Sequence, residues 1–134
     1  MGSPTVLFLD GDLGFVLALS LELSKRRIAA IPGRTASEAW SLMTRFQLSP
    51  DLLVIDCSIP DACSFAESII KERPDVKIIG IVSERYHCEE CGSRLAATFR
   101  DPEDQAPEQI PNCADLIQRL LRGNLHVVQN TGDA

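Results

Sequence analysis

The sequence predicts an α/β protein: an open, five-stranded parallel sheet with helices on both faces, stacked in three layers. Three observations lead there. Apolar runs of four to six residues alternate with longer amphipathic segments along most of the chain, the pattern of strands buried on both faces and joined by helices. The length, 134 residues, suits one domain with a real core. The composition, 45% apolar and 24% charged, is ordinary for a globular protein.

Each element has its own signal. Thr5–Leu9 ("TVLFL") reads as a buried strand and Leu13–Lys25 as a helix. Ile28–Ile31 is a short strand closed by Pro32-Gly33, and Ser37–Gln47 a helix with Ser37 as N-cap ahead of Glu38. Leu52–Ile55 ("LLVI") is a strand between Pro50 and Pro60, and the helix Ala62–Glu72 stops ahead of Pro74. Lys77–Val82 ("KIIGIV") is the most β-like run, and Leu95–Phe99 supplies a fifth strand. Arg100 to Pro111 holds three prolines, after which a helix from Asn112 to Arg122 ends at Gly123. The expected organisation is one domain over 1–122 and a tail or linker over 123–134, with no internal repeat.

Several function classes are disfavoured. The net charge is −6 and no basic cluster exceeds Lys25-Arg26-Arg27, whereas a nucleic-acid surface needs several cations on one face. No apolar run reaches membrane-spanning length. The apolar N-terminus contains Asp10 and Asp12 and has no basic leader, and "MGSPTV" misses the myristoylation pattern at Val6. Five cysteines (Cys57, Cys63, Cys88, Cys91, Cys113) are an odd number without a small-scaffold pattern, so the expectation is a cytoplasmic protein with reduced thiols.

Ligands of open parallel sheets bind at the carboxyl ends of the strands. Three strands here end in polar residues at that edge: Leu9 is followed by Asp10, Ile55 by Asp56 and Val82 by Ser83. Two acids and a hydroxyl suit a divalent cation and a phosphoryl group.

With "VLFLD" at the first strand, "LLVIDCSIPD" at the third, "IIGIVS" at the fourth and "FRDP" after the fifth, Thr5 to Arg122 resembles a response-regulator receiver domain, the flavodoxin-like module of two-component signalling. The resemblance implies that Asp56 accepts a phosphoryl group, its carboxylate attacking phosphorus to give an acyl phosphate. It implies Mg²⁺ held by Asp10, Asp56 and the backbone of Ser58, and a Ser83 hydroxyl bonded to a phosphoryl oxygen. The implied partners are a histidine kinase or phosphotransfer protein and a downstream output protein or domain, with a homodimer as a further option. Such a module is a switch rather than a turnover enzyme.

The chain departs from the family pattern at the site itself. Gly11 stands where a second acid would touch the metal, and Asp12, one residue later, could compensate only through a rearranged turn. Asp101 replaces the lysine that would pair with the phosphoryl group, and Arg100 beside it points the opposite way in an extended segment. Thr98 occupies the position of the switch aromatic, leaving Phe99 out of register, and Glu84 adds an acid where a small residue is usual. A phosphorylation-independent pseudo-receiver, an interaction module, is therefore the alternative.

Two further motifs surround the cysteines of the segment after the fourth strand. "HCEECGSR", His87 to Arg94, fits the H-C-x5-R pattern of tyrosine phosphatases, but Glu89 and Glu90 would sit in the phosphate loop. Cys88-x-x-Cys91 beside His87 suggests zinc or a redox pair, yet lacks a fourth ligand unless His126 folds back. Cysteines on a short helical turn are the plainer reading. Asp101 lies eighteen positions after Ser83, so a fourth helix is expected to be truncated and the output face unusual. Leu13, Phe15, Val16, Leu17, Leu19, Leu21 and Leu23 place apolar groups on nearly every side of the first helix. Deep packing explains that; a dimer or kinase-docking face is the alternative. Trp40 and Cys57 read as packing residues.

Overall fold

A computed structural model describes residues 3–82, 95–100 and 107–123. In chain order its elements are β1 (Thr5–Leu9), α1 (Leu13–Lys25), β2 (Ala29–Gly33), α2 (Ala36–Phe46), β3 (Leu52–Asp56), α3 (Ala62–Glu72), β4 (Lys77–Val82), β5 (Ala97–Arg100) and α4 (Ile110–Leu121). A 3-10 turn, Pro107–Gln109, leads into α4. The strands form one parallel sheet in the order β2-β1-β3-β4-β5. This is the expected five-stranded α/β sheet in three layers.

Side-chain alternation along the strands builds the two outer layers. In β1, Val6 and Phe8 join a core with α1 and α4, whereas Leu7 and Leu9 join one with α2 and α3. Val6 to Leu9 are all fully buried, which explains the unbroken apolar run. The edge strand β2 tolerates Pro32 because an edge can spare an N–H donor. Gly33 suits the close approach there: a Cβ would lie 3.0 Å from that of Ala39 and 3.2 Å from the Phe8 carbonyl oxygen, a tight fit.

β1, α1, α3 and β4 have the expected limits; the others move. β2 begins and ends later than Ile28–Ile31, β3 takes in Asp56, and β5 starts at Ala97 rather than Leu95. Thr35, not Ser37, caps α2, accepting from the Glu38 N–H at 3.0 Å, while Glu38 Oε1 accepts from the Arg34 N–H. α4 begins at Ile110 and not Asn112, because Pro111 falls in its first turn, where a missing N–H costs no helical bond.

Deep packing holds for only one side of α1. Phe15, Val16, Leu19 and Leu23 are buried, while Leu13, Leu17 and Leu21 are 54%, 64% and 61% exposed on the opposite face. Arg26, just past α1, donates to Glu22 and reaches Asp115 and Gln118 of α4, holding the two helices in register. Beneath the sheet, Arg73 donates to Ser49 Oγ at 2.7 Å, to the Pro50 carbonyl and to Asp75, while the Thr5 N–H donates to Asp51 at 2.8 Å. The pairing with Arg73 draws the Asp75 carboxyl below its ordinary range.

Candidate functional site

Register brings the acids together. Leu9 pairs with Ile55 across β1 and β3, so Asp10 and Asp56 leave neighbouring strands at the same level. Strands in a sheet lie about 4.8 Å apart, which makes the two residues neighbours at the carboxyl edge. Asp56 pairs in turn with Ile81 of β4, and Val82 with Arg100 of β5.

Asp10 is the one charged residue among the described ones that is buried, at 3% exposure. Its N–H continues the ladder to the Gly33 carbonyl, and its Oδ1 accepts from the Asp12 N–H at 3.0 Å. Asp12 caps α1, its Oδ1 accepting from the Phe15 N–H at 3.0 Å. One of its carboxylate oxygens is thus committed to the helix, where the positive end of the dipole also favours it. Gly11 is exposed between them, with nothing within 4 Å of where a Cβ would stand.

Asp56 is half-buried at the tip of β3. Its Oδ1 accepts from both the N–H of Ser58, at 3.0 Å, and the Ser58 hydroxyl, at 2.6 Å. The sequence suggested only the Ser58 backbone as a participant; the side-chain bond was missed, although Asp-x-Ser after a strand is a pattern for such a turn.

The edge thus gathers Asp10, Asp12, Asp56 and Ser58. Ser83, Glu84, Asp101 and the motif residues His87, Cys88, Cys91 and Arg94 lie outside the described residues, as does His126. On β5, Thr98 is exposed, while Phe99 is buried and packs edge-on against Phe15 at 6.4 Å between ring centroids. The only aromatic ring of this strand therefore belongs to the core.

Among the described residues no cluster of three or more His, Cys, Asp or Glu side chains is arranged to hold a metal ion. The donors that the register brings together at the edge are two neighbouring carboxylates, Asp10 and Asp56. Mg²⁺ commonly makes do with one or two protein carboxylates, waters and phosphoryl oxygens, so this set fits a weakly held, hydrated ion.

Cysteine chemistry differs from the expectation. Cys63, in the first turn of α3, is disulfide-bonded rather than reduced. Cys57 and Cys113 keep buried thiols. Cys57 packs in the core with α2 and α3, as a small apolar filler would. Burial pushes the Cys113 thiol up to about 11. Trp40 packs edge-on against Phe65 at 5.0 Å and lines an open cleft of about 420 Å³ with Ser37, Asp61 and Ser64. Among the described residues no helix is long and apolar enough to cross a membrane.

No family model matches the sequence, and no curated protein does. Solved structures match well. A response regulator from Thermotoga maritima superposes with a TM-score of 0.68 at 17% identity, over 90% of this chain and 98% of that one. The regulatory domain of the repressor of iron transport regulator, in its inactive form, gives 0.69 at 21% identity, over 90% and 97%. A protein from a family described as streptococcal redox sensors evolved from two-component response regulators gives 0.69 at 21%, over 96% of this chain but 55% of its own length. The chain thus has the flavodoxin-like fold of response-regulator receiver domains, as its motifs suggest; identities this low establish the fold alone.

Proposed function

We propose that this chain is a receiver domain in two-component signalling that accepts a phosphoryl group on Asp56 and signals by protein–protein contact. The observation that supports it best is the half-buried Asp56 at the tip of a central strand, level with the buried Asp10. A carboxylate oxygen of Asp56 attacks the phosphorus of a phosphorylated histidine or small acyl phosphate. The new P–O bond forms as the donor's bond to phosphorus breaks, and the donor leaves with that electron pair. Asp10, Asp56 and the Ser58 carbonyl are the residues that would hold Mg²⁺, which supplies screening between the carboxylate and the phosphoryl oxygens. Ser58 orients Asp56 through its two hydrogen bonds to Oδ1, and Ser83 is proposed as the hydroxyl that bonds the phosphoryl group. The proposed partners are a histidine kinase or phosphotransfer protein upstream and an output protein or domain downstream. The module is a switch and not a turnover enzyme.

Incubation with acetyl phosphate and Mg²⁺, followed by intact-mass measurement, tests this. A phosphoryl adduct on the wild type and none on Asp56→Asn supports it; no adduct on either, with no Mg²⁺ binding by titration, rejects it.

A second reading is a module of the same fold that signals without phosphorylation. It is favoured by Gly11 in place of an acid, by the commitment of Asp12 to capping, and by the Cys63 disulfide. The streptococcal neighbour described as a redox sensor offers a precedent for such a departure. Forming the bridge passes two electrons and two protons from two thiols to an oxidant such as oxidised glutathione.

A further inference from the structure

We propose that Ser58 is a second phosphoryl acceptor at this edge, its hydroxyl activated by Asp56. The Ser58 hydroxyl donates to Asp56 Oδ1 at 2.6 Å. A hydroxyl within hydrogen-bond reach of a base is the arrangement that turns serine into a nucleophile. A carboxylate that takes the proton of an attacking hydroxyl is also a recurring device of phosphoryl transfer to alcohols. The turn itself does not need this bond. It is closed by the Ser58 N–H, which donates to the same Oδ1 at 3.0 Å and which any residue but proline would supply. The hydroxyl is an addition to that turn, and it stands on the open side, since Ser58 is exposed whereas Asp56 is half-buried. Ser68 gives the contrast: its hydroxyl donates to the Ser64 carbonyl, which takes up no proton.

The inference rests on the reading that a phosphodonor is bound beside Asp56, and it parts from that reading over which oxygen attacks. Ser58 Oγ forms the new bond to phosphorus as the P–O bond of an acyl phosphate breaks. The donor's carboxylate leaves with that electron pair, and the Oγ proton passes to Asp56 Oδ1 and then to water. The hydrogen bond made in the resting state already lies along the path of that proton. The two products differ in their fate. An acyl phosphate retains a good leaving group and hydrolyses unaided; a serine ester would have to expel an alkoxide, and it persists. A phosphoserine carries close to two negative charges, and at two residues from Asp56 it repels a second phosphoryl group. Each chain therefore holds one ester or one acyl phosphate, not both. Phosphorylation at Ser58 latches the site until a phosphatase clears it, whereas phosphorylation at Asp56 resets by itself.

The test is incubation of the protein with acetyl phosphate and Mg²⁺, then hydroxylamine, which cleaves acyl phosphates and spares serine esters, then intact mass and peptide mapping. The expected result is a single phosphoryl adduct that survives hydroxylamine and maps to Ser58. Ser58→Ala should lose it, and Ser58→Thr, which keeps the hydroxyl, should carry it as phosphothreonine. Asp56→Asn keeps an acceptor but not a base, and should form it at least about a hundredfold more slowly. The mapping uses the wild type, so it does not depend on the folding of any variant. An adduct that hydroxylamine removes completely overturns the proposal and leaves phosphorylation of Asp56 standing. A surviving adduct that Asp56→Asn forms at the wild-type rate overturns the role of Asp56 as base. No adduct of either kind overturns the proposal together with the reading it rests on.

Discussion

The Ser58 hydroxyl donates to Asp56 Oδ1 at 2.6 Å, the same oxygen that accepts from the Ser58 N–H at 3.0 Å. A hydrogen bond to a charged group is worth about 1.5–3 kcal/mol, and this one favours the resting carboxylate. Ser58→Ala should therefore raise the rate of Asp56 phosphorylation from acetyl phosphate, by about tenfold, in an intact-mass time course. A slower reaction would mean that the hydroxyl aids the transfer rather than restraining the nucleophile.

Gly11 leaves an open place beside the two acids. A Cβ there meets no atom within 4 Å, so Gly11→Asp should fold as the wild type does. With a further carboxylate at the edge, Mg²⁺ affinity measured by titration should rise by about tenfold, the worth of roughly 1.4 kcal/mol. Adding Asp101→Lys should raise Asp56 phosphorylation further. If neither affinity nor phosphorylation changes, Gly11 and Asp101 do not face this site.

Asp12 is a helix cap first. Asp12→Ala removes the acceptor for the Phe15 N–H and should cost about 1 kcal/mol of stability. For a domain of this size, that lowers Tm by a few degrees. Asp12→Asn retains an acceptor and should recover most of the loss, which differential scanning calorimetry would resolve.

Cys113 should make the fold sensitive to alkali. Burial raises its folded-state value from 9.0 to about 11, so the native state holds the thiol proton that the unfolded chain releases. Its contribution is complete below pH 9.0 and declines as pH rises to about 11, by roughly 1 kcal/mol per pH unit. Urea unfolding of the wild type should show this slope, and Cys113→Ala should flatten it.

The Cys63 bridge predicts a simple chemical pattern. Denatured without reductant, the chain should leave two of its five cysteines unmodified by iodoacetamide, and Cys63 should be one of them by peptide mapping. Prior reduction should expose all five. Equal labelling in both samples would show that the thiols of the purified protein are reduced.

Where a strand or helix ends at a chemically distinct residue, its limits were legible in the sequence. β1 ends at Leu9, ahead of Asp10, and α3 stops ahead of Pro74. The α2 cap was read two residues late because Ser37 and Thr35 are both cap-forming residues. Thr35-Ala36-Ser37-Glu38 has the spacing that pairs a cap with the glutamate three residues on, and that spacing decides between them. Pro111 looked like a barrier to the last helix, although a first turn accepts proline. At the site, Asp10 and Asp56 were readable from the strands they follow. The bond from Ser58 to Asp56 and the split face of α1 depend on how side chains turn in space, which residue spacing only partly specifies.

Arg73, beneath the sheet, gives the molecule a stiff base. With Ser49, the Pro50 carbonyl and Asp75 all bound to one guanidinium, and Thr5 tied to Asp51, the strand origins are laced across three connections. A disturbance at Asp56 finds that end anchored, so its easier outlet is lateral, along the rim where the acids stand. On the proposed function, the fold is a cantilever clamped at its strand origins, with Asp56 at the free end.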